Sequence, residues 1–305
     1  MSTPGASPDA SAPSRGLLVI VATPIGNLGD LSPRARQTLQ GADLVCCEDT
    51  RRTRALLTHA GIRGKRLRSV HAGNEAARLD EVVSRLSSGA TVALVSDAGT
   101  PIVSDPGARL VRAALDSGAT VSAVPGPSAA LTALVVSGLP SARFCVEGFL
   151  TRRGAERRRR LAALAVEGRT TVIFEAPGRL AATLAELAEV CGGPREVVVA
   201  RELTKLHEEV WRGTLAEAAE EFAAREVRGE IVVVLGPAAA AAPAGDAQVV
   251  AALHRQRGRG ASWRDATVAV AAELGLPRRV VYDRAIELRG RRPPGTDEPT
   301  GGMPG

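Results

Sequence analysis

Apolar runs rich in β-branched residues at 17–22, 43–47, 91–95, 120–124 and 144–146 alternate with longer helix-like stretches. Few folds accept this pattern. Strands joined in sequence by helices lie parallel in one sheet, and a sheet buried on both faces reads as unbroken hydrophobic runs. The intervening helices are expected at 33–39, 50–59, 75–86, 106–116 and 127–137. Ser32-Pro33, Asp105-Pro106 and Gly126-Pro127 each offer a proline for a first helical position, where a missing N–H costs nothing.

A second block opens near Thr151, with a helix through a basic stretch to 166, strands at 171–174, 196–200 and 231–235, and helices at 180–190 and 215–223. The resulting division is an N-terminal α/β domain at 16–148 and a second, smaller α/β domain at 149–237. An Ala/Pro/Gly-rich linker at 238–248 leads to short helices at 249–257, 262–274 and 278–288, a helical module at 249–290 read as an RNA-binding helix-turn-helix. Residues 1–15 and 291–305 are expected to be disordered.

The 305-residue chain carries a formal charge of +6, unevenly distributed: residues 251–292 hold ten Arg against four acidic residues. A basic appendage of this kind fits a nucleic-acid partner. Cys46, Cys47, Cys145 and Cys191 have no C-x-x-C spacing and no clustered His beside them, so they read as reduced core residues and no metal is expected. The first apolar run is too short to span a bilayer, which points to a soluble, cytoplasmic protein without a membrane partner.

Three Gly/Pro-rich turns follow predicted strands: Thr23-Pro24-Ile25-Gly26, Asp97-Ala98-Gly99-Thr100-Pro101 and Pro125-Gly126-Pro127-Ser128-Ala129. In a parallel sheet the carboxyl ends share one edge, so the three turns converge on one crevice. None matches G-x-G-x-x-G or a phosphate loop, which argues against a dinucleotide or a nucleoside triphosphate.

These segments, with Cys47-Glu-Asp-Thr-Arg51, His71-Ala-Gly-Asn-Glu75 and Arg201-Glu-Leu-Thr-Lys-Leu-His-Glu-Glu209, resemble in order the tetrapyrrole methylase superfamily, and within it the branch that modifies ribosomal RNA. The resemblance runs over about residues 16–236, and more loosely into the helices beyond. It implies a two-domain class III methyltransferase fold with a small helical module, a homodimer by family analogy, and S-adenosylmethionine folded between the domains. It also implies 2′-O-methylation of a cytidine in the decoding region of 16S ribosomal RNA, on free RNA or the small ribosomal subunit. By the family pattern Pro24, Gly26, Asp97, Ala98, Gly99, Thr100 and Val103 border the cofactor. Ser128 and Ala129 join them from the third turn, and Phe174 and Gly213 from the second domain. Thr100 stands where corrinoid relatives carry Asp, which argues against a tetrapyrrole C-methyltransferase; a non-catalytic RNA-binding protein is the other alternative.

A ribose hydroxyl must lose its proton, and the candidate catalytic residues are Glu48, Asp49, Lys205, His207 and Glu208, with His71 and Glu75 further off. Asp49 can equally cap the next helix. Arg51 and Arg52 at that helix start, and Arg152, Arg153, Arg157, Arg158, Arg159 and Arg160 at the domain junction, are read as RNA phosphate contacts. In the terminal module Trp263 and Tyr282 read as core anchors, with Arg278, Arg279 and Arg284 outside.

Overall fold

The computed structural model describes residues 16–239 and 244–290; the expectations for 1–15 and 291–305 lie outside the described residues. The chain divides into one compact unit up to Ala238 and a second from Ala239.

The first unit is built on two five-stranded sheets. Strands β1 (Leu17–Val21), β2 (Leu44–Cys47), β3 (Leu67–Ser69), β4 (Thr91–Val95) and β5 (Thr120–Val124) form the first, in the order β3-β2-β4-β1-β5. Every pairing in it is parallel. Helices α1 (Pro33–Gly41), α2 (Thr50–His59), α3 (Glu75–Ser87), α4 (Ala108–Asp116) and α5 (Ala129–Ser137) are interleaved with these strands. Alternate strand residues feed two cores, Val19, Val21, Val45 and Val95 on one face and Leu18, Ile20, Leu44 and Leu94 on the other. That two-sided burial is why the strands read as continuous apolar runs.

The second sheet comprises β6 (Phe144–Phe149), β7 (Thr170–Glu175), β8 (Glu196–Arg201), β9 (Glu209–Thr214) and β10 (Ile231–Leu235), ordered β6-β7-β10-β8-β9. Only β6 and β7 run parallel; the other pairings are antiparallel. Helices α6 (Ala155–Val166), α7 (Leu180–Cys191) and α8 (Leu215–Ala223) accompany it. Helix α5 packs its buried Ala130, Ala133 and Leu134 with Val172, Val198 and Val232 of this second sheet, so the two sheets share a core.

Several expectations need correction. Strands β3 and β9 were not foreseen, and β6 runs on to Phe149 through a register shift between Val146 and Gly148. Of the three proline starts only Pro33 holds: α4 begins after Gly107 and α5 after Ser128, whose hydroxyl accepts the Leu131 N–H. Pro106 and Pro127 therefore precede the helices and shape the turns instead.

The second unit contains α9 (Asp246–Gly258), α10 (Trp263–Leu274) and α11 (Arg278–Gly290) around Val249, Leu253, Val270 and Val281. Trp263 packs against that core, but Tyr282 is 55% exposed and is not an anchor. Arg284 is not outside either; it is half-buried and paired with Asp246 and Glu287.

Candidate active site

Because β1, β4 and β5 are parallel neighbours, the turns after them meet at one edge. Thr23 and Gly99 exchange two main-chain hydrogen bonds (2.9 and 3.0 Å), which stitch the first turn to the second. The Thr100 hydroxyl donates to the Pro127 carbonyl at 3.0 Å and ties the second turn to the third. Gly99 has φ +78°, and a Cβ there would lie 3.3 Å from Ile25 Cγ2; a Cβ on Gly126 would lie 3.0 Å from the Ala22 Cβ. The wall is close-packed backbone, and it requires residues without side chains at these two positions.

A cleft of about 400 Å³ lies against this wall. Of the residues that the family pattern sets beside the cofactor, Asp97, Ala98, Gly99, Thr100, Val103, Ser128 and Ala129 border this cleft from the first sheet and Phe174 from the second. Three expected residues do not. Pro24 is buried beneath the wall. Gly26 packs on the Leu203–Lys205 turn, where an added Cβ would meet Lys205 Cγ at 2.4 Å. Gly213 pairs with Val197, which pairs with Leu235, at the end of the second sheet opposite Phe174 and Val232.

Sequence reasoning missed Asp105, Phe149, Glu175, Pro177 and Glu230, all of which line the cleft. Asp105 carried a signal, a polar residue among the Gly and Pro of a strand-end loop, but only the proline after it was given a role, as a helix start. Glu175-Ala176-Pro177 repeats the same strand-end punctuation in the second sheet.

The candidate proton acceptors separate once their partners are known. The Asp49 carboxylate accepts the Arg51 N–H at 2.7 Å and pairs with the Arg51 guanidinium, which holds its carboxyl well below the usual range; it is the cap of α2. Glu75 is buried and accepts the Leu110 N–H at 3.1 Å, a structural task at the start of α4. The Glu208 carboxylate accepts the Thr204 N–H, and His207 is exposed. Burial alone would lower the Lys205 ammonium, but hydrogen bonds to Glu202 (2.8 Å) and Glu230 (3.1 Å) outweigh it and raise its pKa. Lys205 therefore stays a cation at neutral pH and cannot take a proton. Two carboxyls remain. Burial raises both Glu48 and Asp105, with the neighbouring Asp97 charge adding to each and Asp105 itself adding to Glu48. Asp97 accepts the Asp49 N–H at 3.0 Å and pairs with Arg52, another cleft residue.

The arginine run also divides. Arg157 is buried, bonded to Glu186, the Thr183 hydroxyl and the Thr151 carbonyl, and so braces α6 against α7 rather than facing solvent. Arg159 pairs with Glu156, Arg160 with Glu147 and Arg51 with Asp49. Arg152, Arg153 and Arg158 are exposed and have no ion-pair partner among the described residues.

S-adenosylmethionine presents an adenine, a ribose diol, a sulfonium and a zwitterionic amino-acid end, and the cleft has groups for each kind. Ile25, Val103, Ala129 and Phe174 supply an apolar wall, Phe174 lying 5.6 Å from the Phe149 ring. Asp97 supplies an acceptor for hydroxyl or ammonium groups. Its volume and mixed lining suit a cofactor of that size. Among the described residues no three His, Cys, Asp or Glu are grouped as a metal site, and no helix is long and apolar enough to cross a membrane.

Comparison with known proteins agrees with this geometry. The profile of the tetrapyrrole (corrin/porphyrin) methylases matches residues 17–219. A protein of Mycobacterium tuberculosis (strain CDC 1551 / Oshkosh) named ribosomal RNA small subunit methyltransferase I is 48% identical over 279 residues, covering 90% of this chain and 96% of that protein. One of the same name from Thermotoga maritima is 49% identical over 220 residues, 72% of this chain and 98% of its own length. Among solved structures, a cobalt precorrin-4 methyltransferase superposes with a TM-score of 0.56 at 18% identity, covering 73% of this chain and 95% of its own. A uroporphyrin-III C-methyltransferase from Thermus thermophilus, solved with S-adenosylhomocysteine, superposes with a TM-score of 0.51 at 21% identity, covering 72% and 97%.

Proposed function

Since the chain belongs to the ribosomal RNA small subunit methyltransferase I family of the tetrapyrrole methylases, we propose that it methylates the ribose 2′-hydroxyl of a cytidine in the decoding region of 16S ribosomal RNA. The observation that carries this reading is the cleft itself: a main-chain cradle on one side and, bordering the same space, the half-buried carboxyl of Asp105 with its raised pKa.

S-adenosylmethionine, when bound, supplies an electrophilic methyl group. The cradle of Ala98, Gly99, Ser128 and Ala129 holds it in place, and alignment of hydroxyl oxygen, carbon and sulfur is the main source of rate in an in-line displacement. Asp105 accepts the hydroxyl proton, because it borders the cleft and its environment makes it a stronger base than an exposed aspartate. Glu48 stands next to it electrostatically, and the Asp97–Arg52 pair closes that corner. Lys205 is a positioning residue, fixing Glu230 at the cleft. Arg152, Arg153 and Arg158 contact phosphate without reading sequence. The reading includes free RNA or the small subunit as substrate, a cytoplasmic location and a homodimer; exposed Leu131, Val135 and Phe144 support the last.

The test is purified protein, S-adenosylmethionine labelled in its methyl group, and small ribosomal subunits or free 16S RNA, followed by nucleoside mass spectrometry. Label is expected in 2′-O-methylcytidine, and label confined to any other product would overturn the proposal.

A further inference from the structure

Tyr282 is the only tyrosine in the chain, and more than half of it is open to solvent. Its surroundings are specific. Helices α10 and α11 are joined through Gly275 (φ +63°), Leu276 and Pro277, which places Arg264 and Val268 of one helix beside Arg278, Arg279 and Tyr282 of the other. With Thr267 these residues line a groove of about 310 Å³. Arg264 and Val268, like Arg278 and Tyr282, are four residues apart, so each pair shares a helix face.

No carboxylate lines the groove. Four acidic side chains of this unit have other partners: the Asp265 carboxylate accepts the hydroxyl of Ser262, the cap of α10, Glu273 pairs with Arg255, and Asp246 and Glu287 pair with Arg284. Asp283 follows Tyr282 but does not line the groove. The three groove arginines have no ion-pair partner among the described residues, whereas Arg257 lies over the Trp263 ring at 5.0 Å. The unit therefore pairs its tryptophan internally and leaves its tyrosine, flanked by three guanidinium groups, facing outward.

The geometry points to this groove as a binding site for a single-stranded stretch of RNA, one base stacked on the Tyr282 ring and the adjoining phosphates held by Arg264, Arg278 and Arg279. An exposed ring beside cations is the combination that single strands use, since every base has a face to stack and every linkage a charge. A duplex keeps its bases stacked inside and offers the ring nothing. The apolar wall of Val268 supports a flat base, while an acidic protein segment would use the arginines and leave the ring idle. The inference rests on the proposed RNA substrate for its biological setting.

The test uses the full-length protein and a fluorescent single-stranded oligoribonucleotide, without S-adenosylmethionine, over a salt series. Tyr282→Ala is expected to weaken binding about ten- to a hundredfold, and Tyr282→Phe to stay within about twofold because the stack survives. Arg278→Gln with Arg279→Gln should flatten the slope of log K against log salt by about 1.4, at about 0.7 for each lost single-strand phosphate contact. Tyr282→Ala binding as tightly as wild type, or no binding by wild type, overturns the groove. So does equal competition by poly-glutamate that is insensitive to Tyr282→Ala. Methylation assayed separately decides the activity: a wild type that binds RNA in a Tyr282-dependent way but transfers no methyl group refutes the proposed reaction and leaves the groove standing.

Discussion

The turn after β4 and the turn after β8 both force ordinary residues into left-handed backbone, and they hold that strain by different means. Ile102 (φ +78°) and Ser104 (φ +67°) sit in the first, Glu202 (φ +53°) and Thr204 (φ +67°) in the second, and these are all the non-glycine residues with positive φ among the described residues. The β8 turn is trussed by polar groups. Glu202 and Glu230 exchange hydrogen bonds of 2.9 and 2.8 Å, Lys205 bonds both carboxylates, and the Thr204 hydroxyl accepts the Asn27 N–H at 3.1 Å. The β4 turn adds close packing to its hydrogen bonds with the two neighbouring turns: a Cβ on Gly107 would lie 2.7 Å from Leu94, and one on Gly148 of β6 would lie 2.9 Å from the Ser104 hydroxyl. Its middle is lightly held, with Val103 44% exposed at the cleft. Strain at a ligand site persists only where its surroundings over-determine it. One turn is thus braced by a cation between two carboxylates, and the other by packing and by bonds to its neighbouring turns.

Breaking the brace should have the largest effect. Lys205→Met leaves two carboxylates facing each other without their cation, and turnover is expected to fall about a hundredfold, the usual result of displacing a positioned group by an ångström. Cofactor affinity measured by calorimetry should hardly change. If affinity and turnover fall together, the β8 turn belongs to the cofactor wall and the contrast disappears.

Breaking the packed end should do the reverse. Gly107→Val combines a side chain at φ +127° with a clash against Leu94 and is expected to cost about 2 kcal/mol of stability. The same change should weaken S-adenosylmethionine binding about tenfold, which corresponds to about 1.4 kcal/mol. A normal cofactor affinity in a destabilised protein would separate the strain from the site.

The smallest effect concerns Glu48, beside the β4 turn. Its carboxyl is raised by burial and by the charges of Asp97 and Asp105. A carboxyl raised on folding stabilises the fold below its unfolded pKa, and that contribution is lost as pH rises through the folded value. Glu48→Gln should therefore raise Tm by about 2 °C at neutral pH and leave it unchanged near about pH 4. A lower Tm at neutral pH would mean that Glu48 forms a favourable ionised contact instead.

The central strands and the turns that follow them were readable because burial on two faces demands apolar runs and tight turns demand glycine and proline. The two missed strands are both at sheet edges. β3 has only three residues with Arg68 at its centre, and β9 carries Glu209 and Arg212, because a strand paired on one side need not be apolar. Gly213 was misplaced for the same reason, since its position depends on the register of an unforeseen strand. The arginine run misled because the partner that buries Arg157, Glu186, lies 29 residues away. Apart from Phe174, the second-sheet side of the cleft escaped notice because Glu230 and Ile231 lie where β10 begins, at the edge that antiparallel pairing brings beside the end of β7.

The reciprocal bond between Thr23 and Gly99 uses only main-chain groups, one donor and one acceptor from each residue. With Gly99 kept, no exchange of side chain at Thr23 deletes it, short of proline. Sequence drift can change what the first turn displays while leaving its attachment to the second turn intact, so new specificities can be tried at this edge without dismantling the joint on which the wall depends.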